Sequence, residues 1–261
     1  MIKKLFIILC ILAFCAISFA GMTDKYKALI ARKNINAAPG AITLEDSGYL
    51  DENATDTDAV TAGEITVPAG SYNLLLVIVS FNPEGVPQRT ISSVYWDVAG
   101  ANQAFTAVNA GNYVEDDDAH SEAFYLINPT AGASKAVTVN FSADLTYGSS
   151  IAVYALSGAA QSSPIRDYDG VIEALDETLD VTLTVISGDF IAIGTSHEDS
   201  TSACVYTGSG FAVTELFDVD DTHNSHASAY GTADSVSESC NIVWENANHT
   251  VLIAVAVKVA L

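Results

Sequence analysis

The chain has 261 residues, 49% of them apolar, with 10 basic against 32 acidic side chains and a net charge of −22. Nucleic acid is excluded as a natural partner for such a surface, because that binding rests on cations that displace counterions from phosphate. A divalent cation or a basic partner suits it better.

Residues 1–20, "MIKKLFIILCILAFCAISFA", combine a basic head, an apolar middle and small residues before Gly21. This is the pattern of a secretory signal peptide. Its apolar run of about 15 residues falls short of the roughly 20 that a spanning helix needs. The sequence therefore predicts a secreted, extracellular or cell-surface protein, with no transmembrane segment once the leader is cleaved. Removing Lys3 and Lys4 from the ten basic side chains leaves eight against 32 acids. Cys204 and Cys240 then remain as the only cysteines, and export predicts a disulfide between them.

Residues 21–60 read as a basic arm followed by an acidic linker. Within 21–33, Lys25, Lys27, Arg32 and Lys33 face a single acid, Asp24, while Tyr26, Leu29 and Ile30 recur at helical spacing. Attraction between this arm and the acidic body predicts docking on the body or on a neighbouring copy. Added to a neighbour's sheet edge, it would give a homo-oligomer or a filament.

Residues 61–261 read as one β-sandwich domain without a dividing repeat. "YNLLLVIVSF" (72–81) and "TVLIAVAVKVA" (250–260) are continuous apolar runs, as central strands covered on both faces require. "KAVTVNFS" (135–142) and "LDVTLTV" (179–185) alternate, as half-buried strands do. "SSVYWDV", "AFTAV", "EAFYLIN", "SIAVYALSG", "DFIAIGTS", "FAVTELFDV", "HASAYGTA" and "CNIVWE" complete about a dozen short strands with turn residues between them. The fold class expected is all-β, a jelly-roll-like antiparallel sandwich with a short N-terminal arm.

The succession "SSVYWDVAGANQAFTAV", "EAFYLINPTAGASKAVTVNFS", "IAVYALSGAAQSSPIRD", "SGDFIAIGTSHED" and "VLIAVAVKVA" resembles the jelly-roll modules of secreted bacterial and phage-associated surface proteins. The resemblance covers roughly residues 64–261 and implies the fold. It carries no catalytic motif and transfers no site residue.

The densest polar stretch is "DVDDTHNSH" (218–226). As an EF-hand loop it fails, because position six is His223 and position twelve is Ala229. Asp218, Asp220 and Asp221 could still hold calcium in a hairpin loop. His223 and His226, three apart, share a face for zinc only on a helix. A solvated turn explains the same composition. Glu115, Asp116, Asp117 and Asp118 precede "EAFYLIN", and alternation of strand direction puts their loop at the same sandwich end as 218–225. "HED" (197–199) and "RDYDG" (166–170) are expected at the opposite end.

Enzyme signatures fail: G-x-S-x-G and Walker loops are missing, and "HEDST" lacks the second histidine of H-E-x-x-H. The chain is therefore read as no enzyme. Tyr113 and Tyr147, with Tyr49, sit in predicted loops and could form a platform for a sugar, whereas Trp96 and Trp244 are expected inside. The function expected is that of a non-catalytic surface or extracellular structural protein, acting by self-association or attachment to envelope components. The alternative is a calcium-supported module that binds polysaccharide.

Overall fold

The computed structural model describes residues 41–52, 57–84, 88–109, 114–115, 119–198, 204–220 and 224–260. The basic arm, Tyr113, Asp116, Asp117, Asp118, Asp221 and His223 lie outside them. The protein is an all-β antiparallel sandwich. Its first ten strands are β1 (Thr43–Glu52), β2 (Ala59–Val67), β3 (Leu74–Phe81), β4 (Ile91–Trp96), β5 (Gln103–Ala104), β6 (Thr106–Ala107), β7 (Val114–Glu115), β8 (His120–Ile127), β9 (Gly132–Phe141) and β10 (Ser149–Ser157). They form two sheets, ordered β1-β10-β3-β8-β6 and β2-β9-β4-β5, with β7 also pairing β8. First beside last, and second beside next-to-last, is the strand order of a jelly roll.

The remaining strands are β11 (Ile165–Thr184), β12 (Phe190–His197), β13 (Cys204–Ser209), β14 (Thr214–Asp220), β15 (Ser225–Thr232) and β16 (Ser237–Val257). They repeat that order. The first half of β11 pairs the second half of β16, which pairs β12, β15 and β14 in turn; the second half of β11 pairs the first half of β16, which pairs β13. The long β11–β16 ribbon thus serves both layers of the second copy. The register matches residue by residue. Leu74 lies opposite Ile127 and Leu156, as Phe190 lies opposite Thr232 and Val257; Phe81 lies opposite His120 and Ser149, as His197 lies opposite Ser225 and Thr250.

The sandwich read as one domain is therefore two jelly-roll modules, residues 43–157 and 165–257, inside one compact unit. Residues 43–52 form a strand instead of a linker. A bulge between Leu44 and Asp46 breaks the alternation that would have marked it.

Each module has its own core, and a third joins them. Val77, Val79, Phe81, Val137 and Ile151 fill the first module; Leu179, Ile191, Ile193, Cys240 and Leu252 fill the second. Leu76, Ile78, Tyr154, Phe190, Ile253 and Val255 pack between them. Because β3, β10, β12 and the end of β16 are covered on both faces, nearly all their side chains are buried, and their apolar stretches face a core on each side. The two inner sheets meet with β3 over β12, β8 over β16 and β10 over β15. That pattern is an internal pseudo-two-fold running along the strands. Gly194 marks the closest approach, since a Cβ there would overlap Ile78.

Candidate functional site

One end of both modules collects most of the buried polarity. There β3 and β12 finish, β8 and β15 begin, and β16 folds over. Ser80, Asn82, His120, Ser121, Ser149 and Ser150 of the first module are all buried, as are Ser196, His197, Asn224, Ser225, His226 and Thr250 of the second. Ser80 and Ser121 share a hydrogen bond at 2.8 Å. Asn82 Nδ2 donates to Asn224 Oδ1 at 3.2 Å, tying the modules together at this end. All four described histidines stand here: His120 Nε2 lies 3.6 Å from Glu122 Oε2, and His249 Nδ1 lies 3.6 Å from Glu198 Oε2.

The segments that flank Asp116–Asp118 and Asp221–His223 do share this end, through Glu115 opposite His120 and Asp220 opposite Ser225. "HED" is corrected. His197 ends β12 opposite Ser225, at the same end as those loops, not the opposite one. Two strands unread in the sequence, the first half of β11 and β13, change the count by one before "HED" and by one after it.

Asp218 is on β14 opposite Ala227, and its Oδ2 accepts from the Cys204 backbone N–H at 3.0 Å. Asp220 follows two residues on in the same strand. Among the described residues no three His, Cys, Asp or Glu side chains are grouped to hold a metal ion. Tyr147 is half-buried, and Tyr49 is exposed but stacks on Phe217 at 4.8 Å between ring centroids.

The disulfide is also corrected. Cys204 lies opposite Trp244, and Cys240 lies opposite Gly208, so the two are four residues apart along adjacent strands. At about 3.4 Å of rise per residue, that offset exceeds the reach of a disulfide. Both are free, buried thiols. Burial, and then Glu238, push the Cys240 thiol up to about 12.

At this end of the first module the buried His120 packs against Phe81, with ring centroids 4.4 Å apart. His197 stacks on Trp244 with ring centroids 4.7 Å apart. Trp244 Nε1 is enclosed without a hydrogen-bond partner, while the enclosed Tyr206 hydroxyl lies beside the Cys204 thiol. Burial raises the Tyr206 hydroxyl well above its ordinary value, and Cys204, Tyr154 and Asp218 push it further. Sequence reasoning missed this cluster, because its members come from four strands whose register no local pattern reveals. The other tryptophan, Trp96, donates to Thr130 O at 3.1 Å.

Comparisons with known proteins leave the family open. No family model matches the chain, and no curated protein matches it. Among solved structures, an anti-sigma factor domain-containing protein aligns at 7% identity over 82% of this chain and 93% of its own, with a TM-score of 0.24. The dimeric latent PorU from Porphyromonas gingivalis aligns at 10% identity over 74% of this chain and 25% of its own, with a TM-score of 0.21.

Proposed function

We propose that this is an exported, non-catalytic surface or extracellular structural protein that acts by self-association or by attachment to the envelope. One observation carries the reading: the molecule offers two like surfaces on opposite sides. Its layers run from the β2-β9-β4-β5 sheet, through the two inner sheets, to the sheet formed by the β11–β16 ribbon and β13. Both outer sheets carry short polar side chains joined across strands. Thr61 bonds Thr138 at 3.1 Å, and Asn140 Nδ2 donates to Ser93 at 3.0 Å. On the far side, Asn241 Nδ2 donates to Asp180 at 2.8 Å and Thr207 donates to Asn241 at 3.3 Å. Asn140 and Asn241 hold the same position in the two modules.

Such side chains lose little rotamer freedom on contact. Two similar faces on opposite sides allow head-to-tail contacts that extend without closing. The basic arm, with Lys25, Tyr26, Lys27, Leu29, Ile30, Arg32 and Lys33, would add a second contact to an acidic neighbour. The test is light scattering and negative-stain imaging of protein lacking residues 1–20, beside Thr138→Lys, Asn241→Lys and a deletion of 21–36. Loss of assembly in the lysine variants supports the reading. A monomer in every form, at all concentrations and salts, overturns it.

A calcium-supported polysaccharide module is the second reading, favoured by the shared end of the segments flanking the two acidic loops. Asp218, Asp220, Asp221, Asp116, Asp117 and Asp118 would supply the oxygens. A ligand that binds only the folded form raises its melting temperature. Melts with calcium and with chelator, matched for ionic strength, decide it: equal midpoints reject the calcium site.

A further inference from the structure

We propose that contact between copies of this chain is gated by ionic strength: their uncharged outer sheets meet, and their acidic flanks hold them apart until salt screens the repulsion. The inference rests on the self-association reading and adds what switches that contact on.

The charge is spread unevenly. Of the whole chain 16% is charged, yet residues 59–63, 93–95 and 136–140, which build the first module's outer sheet, include no charged side chain. In the second module's outer sheet, residues 178–184, 237–243 and β13 include two. Glu238 is buried, on the inward side with Cys240 and Ile242, so Asp180 is the one outward charge, and it accepts from Asn241 Nδ2 at 2.8 Å. The acids gather at the edges of the inner sheets, where β1 holds four and β14 three, with no base in either. Charged edges resist pairing with a neighbour's edge. The outer faces are where two copies approach without setting carboxylate against carboxylate, and they lie on opposite sides of one body.

Magnitudes decide what controls that contact. Three strands about 4.8 Å apart, with seven residues at about 3.4 Å, make a face of roughly 350 Å². Two such faces bury roughly 700 Å², below the roughly 1,200 Å² of stable specific complexes. The contact is therefore weak, and the long-range term governs it. From residue 37 onward the chain carries four basic against 31 acidic side chains. Stacked face to face, the inner sheets of neighbours lie about three sheet spacings apart, about 30 Å. The screening length is about 30 Å at 0.01 M salt and about 8 Å at 0.15 M. The flanks of neighbouring copies repel one another in the first solution and scarcely sense one another in the second. A contact held by ion pairs would respond to salt in the opposite direction.

Light scattering on protein lacking residues 1–36, which removes the basic arm, tests the gate between 0.01 and 0.5 M sodium chloride. Association is expected to strengthen roughly tenfold or more between 0.01 and 0.15 M. Sodium thiocyanate at equal ionic strength should act alike, since screening depends on ionic strength whereas salting out depends on the salt. The double variant Glu45→Gln, Glu215→Gln, with two fewer charges on the flank strands, should associate at lower salt than its parent. Association that weakens with salt, ignores it, or rises with chloride alone overturns the proposal, as does an unchanged salt dependence in the double variant. Those outcomes leave self-association standing. If protein lacking only residues 1–20 associates and the shorter form never does, the arm makes the contact and the gate is rejected. Two forms that stay monomeric at every salt reject the self-association reading itself.

Discussion

Asp46 and Asp167 make the same two hydrogen bonds in the two modules. Each follows a bulge in the first strand and accepts from the next backbone N–H, Ser47 or Tyr168, at 3.0 Å. Each also accepts from a backbone N–H across the fold, that of Thr66 on β2 at 2.8 Å or of Thr184 at the far end of β11 at 2.6 Å. The carboxylate stitches one sheet to the other at a strand edge that has no further partner in the ladder. Replacing either aspartate by alanine is expected to cost about 1–2 kcal/mol, read from urea unfolding. Asparagine should recover part of that loss. No effect in either module would show that solvent replaces both bonds fully.

The contact between Ile78 and Gly194 governs how the modules meet. Gly194→Ala puts a methyl group onto Ile78, inside a joined core with no solvent beside it. A cost of about 1–3 kcal/mol is expected, as for other overpacked cores. Ile78→Val in the same chain should restore part of it. Additive losses in the double-mutant cycle would mean that the two side chains do not meet.

The thiols give a direct chemical readout. In protein lacking residues 1–20, without reductant, iodoacetamide is expected to leave Cys204 and Cys240 unmodified in the native state. Both should react after denaturation, because burial shields them and keeps Cys240 protonated. Intact mass checks this. A chain that stays unmodified when denatured would contain the disulfide after all.

Alkaline pH should unfold the protein. Burial raises the Cys240 thiol from its ordinary 9.0 to about 12, and raises Tyr154 and Tyr206 well above the ordinary tyrosine value. Tyr154 is locked between Ser228 Oγ at 2.7 Å and Ala229 O at 3.3 Å. Above pH about 9 the unfolded chain releases protons that the folded chain keeps, so stability falls as pH rises. The contribution of these groups is complete below their unfolded values and disappears towards their folded ones. Melting temperatures should therefore decline from about pH 9 upward, and the last tyrosines should ionise together with unfolding. A melting temperature that is flat to pH 11 would contradict this.

Much of the fold was legible in single residues. The runs at 72–81 and 250–260 are read as doubly covered strands because β3 and β16 do sit between two cores. β1 was not legible, since Glu45 occupies a bulge and Asp46 turns to a backbone N–H where alternation expects an apolar residue. The duplication escaped notice for a related reason. What the copies share is a bulge, an aspartate and a register, while the residues between them changed from Phe81 to His197 and from Ile91 to Tyr206. Cysteine pairing depends on register too, and the four-residue offset of Cys204 from Cys240 appears only when β13 is laid on β16. The unpaired Nε1 of Trp244 belongs to tertiary packing alone.

The folded ribbon also dictates an order of events. In each module the opening strand has no ladder partner until the closing one arrives: β1 waits for residues 149–157, and the start of β11 waits for residues 250–257. A chain emerging from its N-terminus therefore completes the first barrel while the second still lacks its clasp. Throughout that interval Leu76, Ile78 and Tyr154 present an oily wall to solvent, since β12 and β16 are what cover it. The first module is thus a template on which the second condenses. Removing residues 250–257 should release both the second barrel and the cover of the first, leaving a sticky half-molecule instead of a smaller stable one.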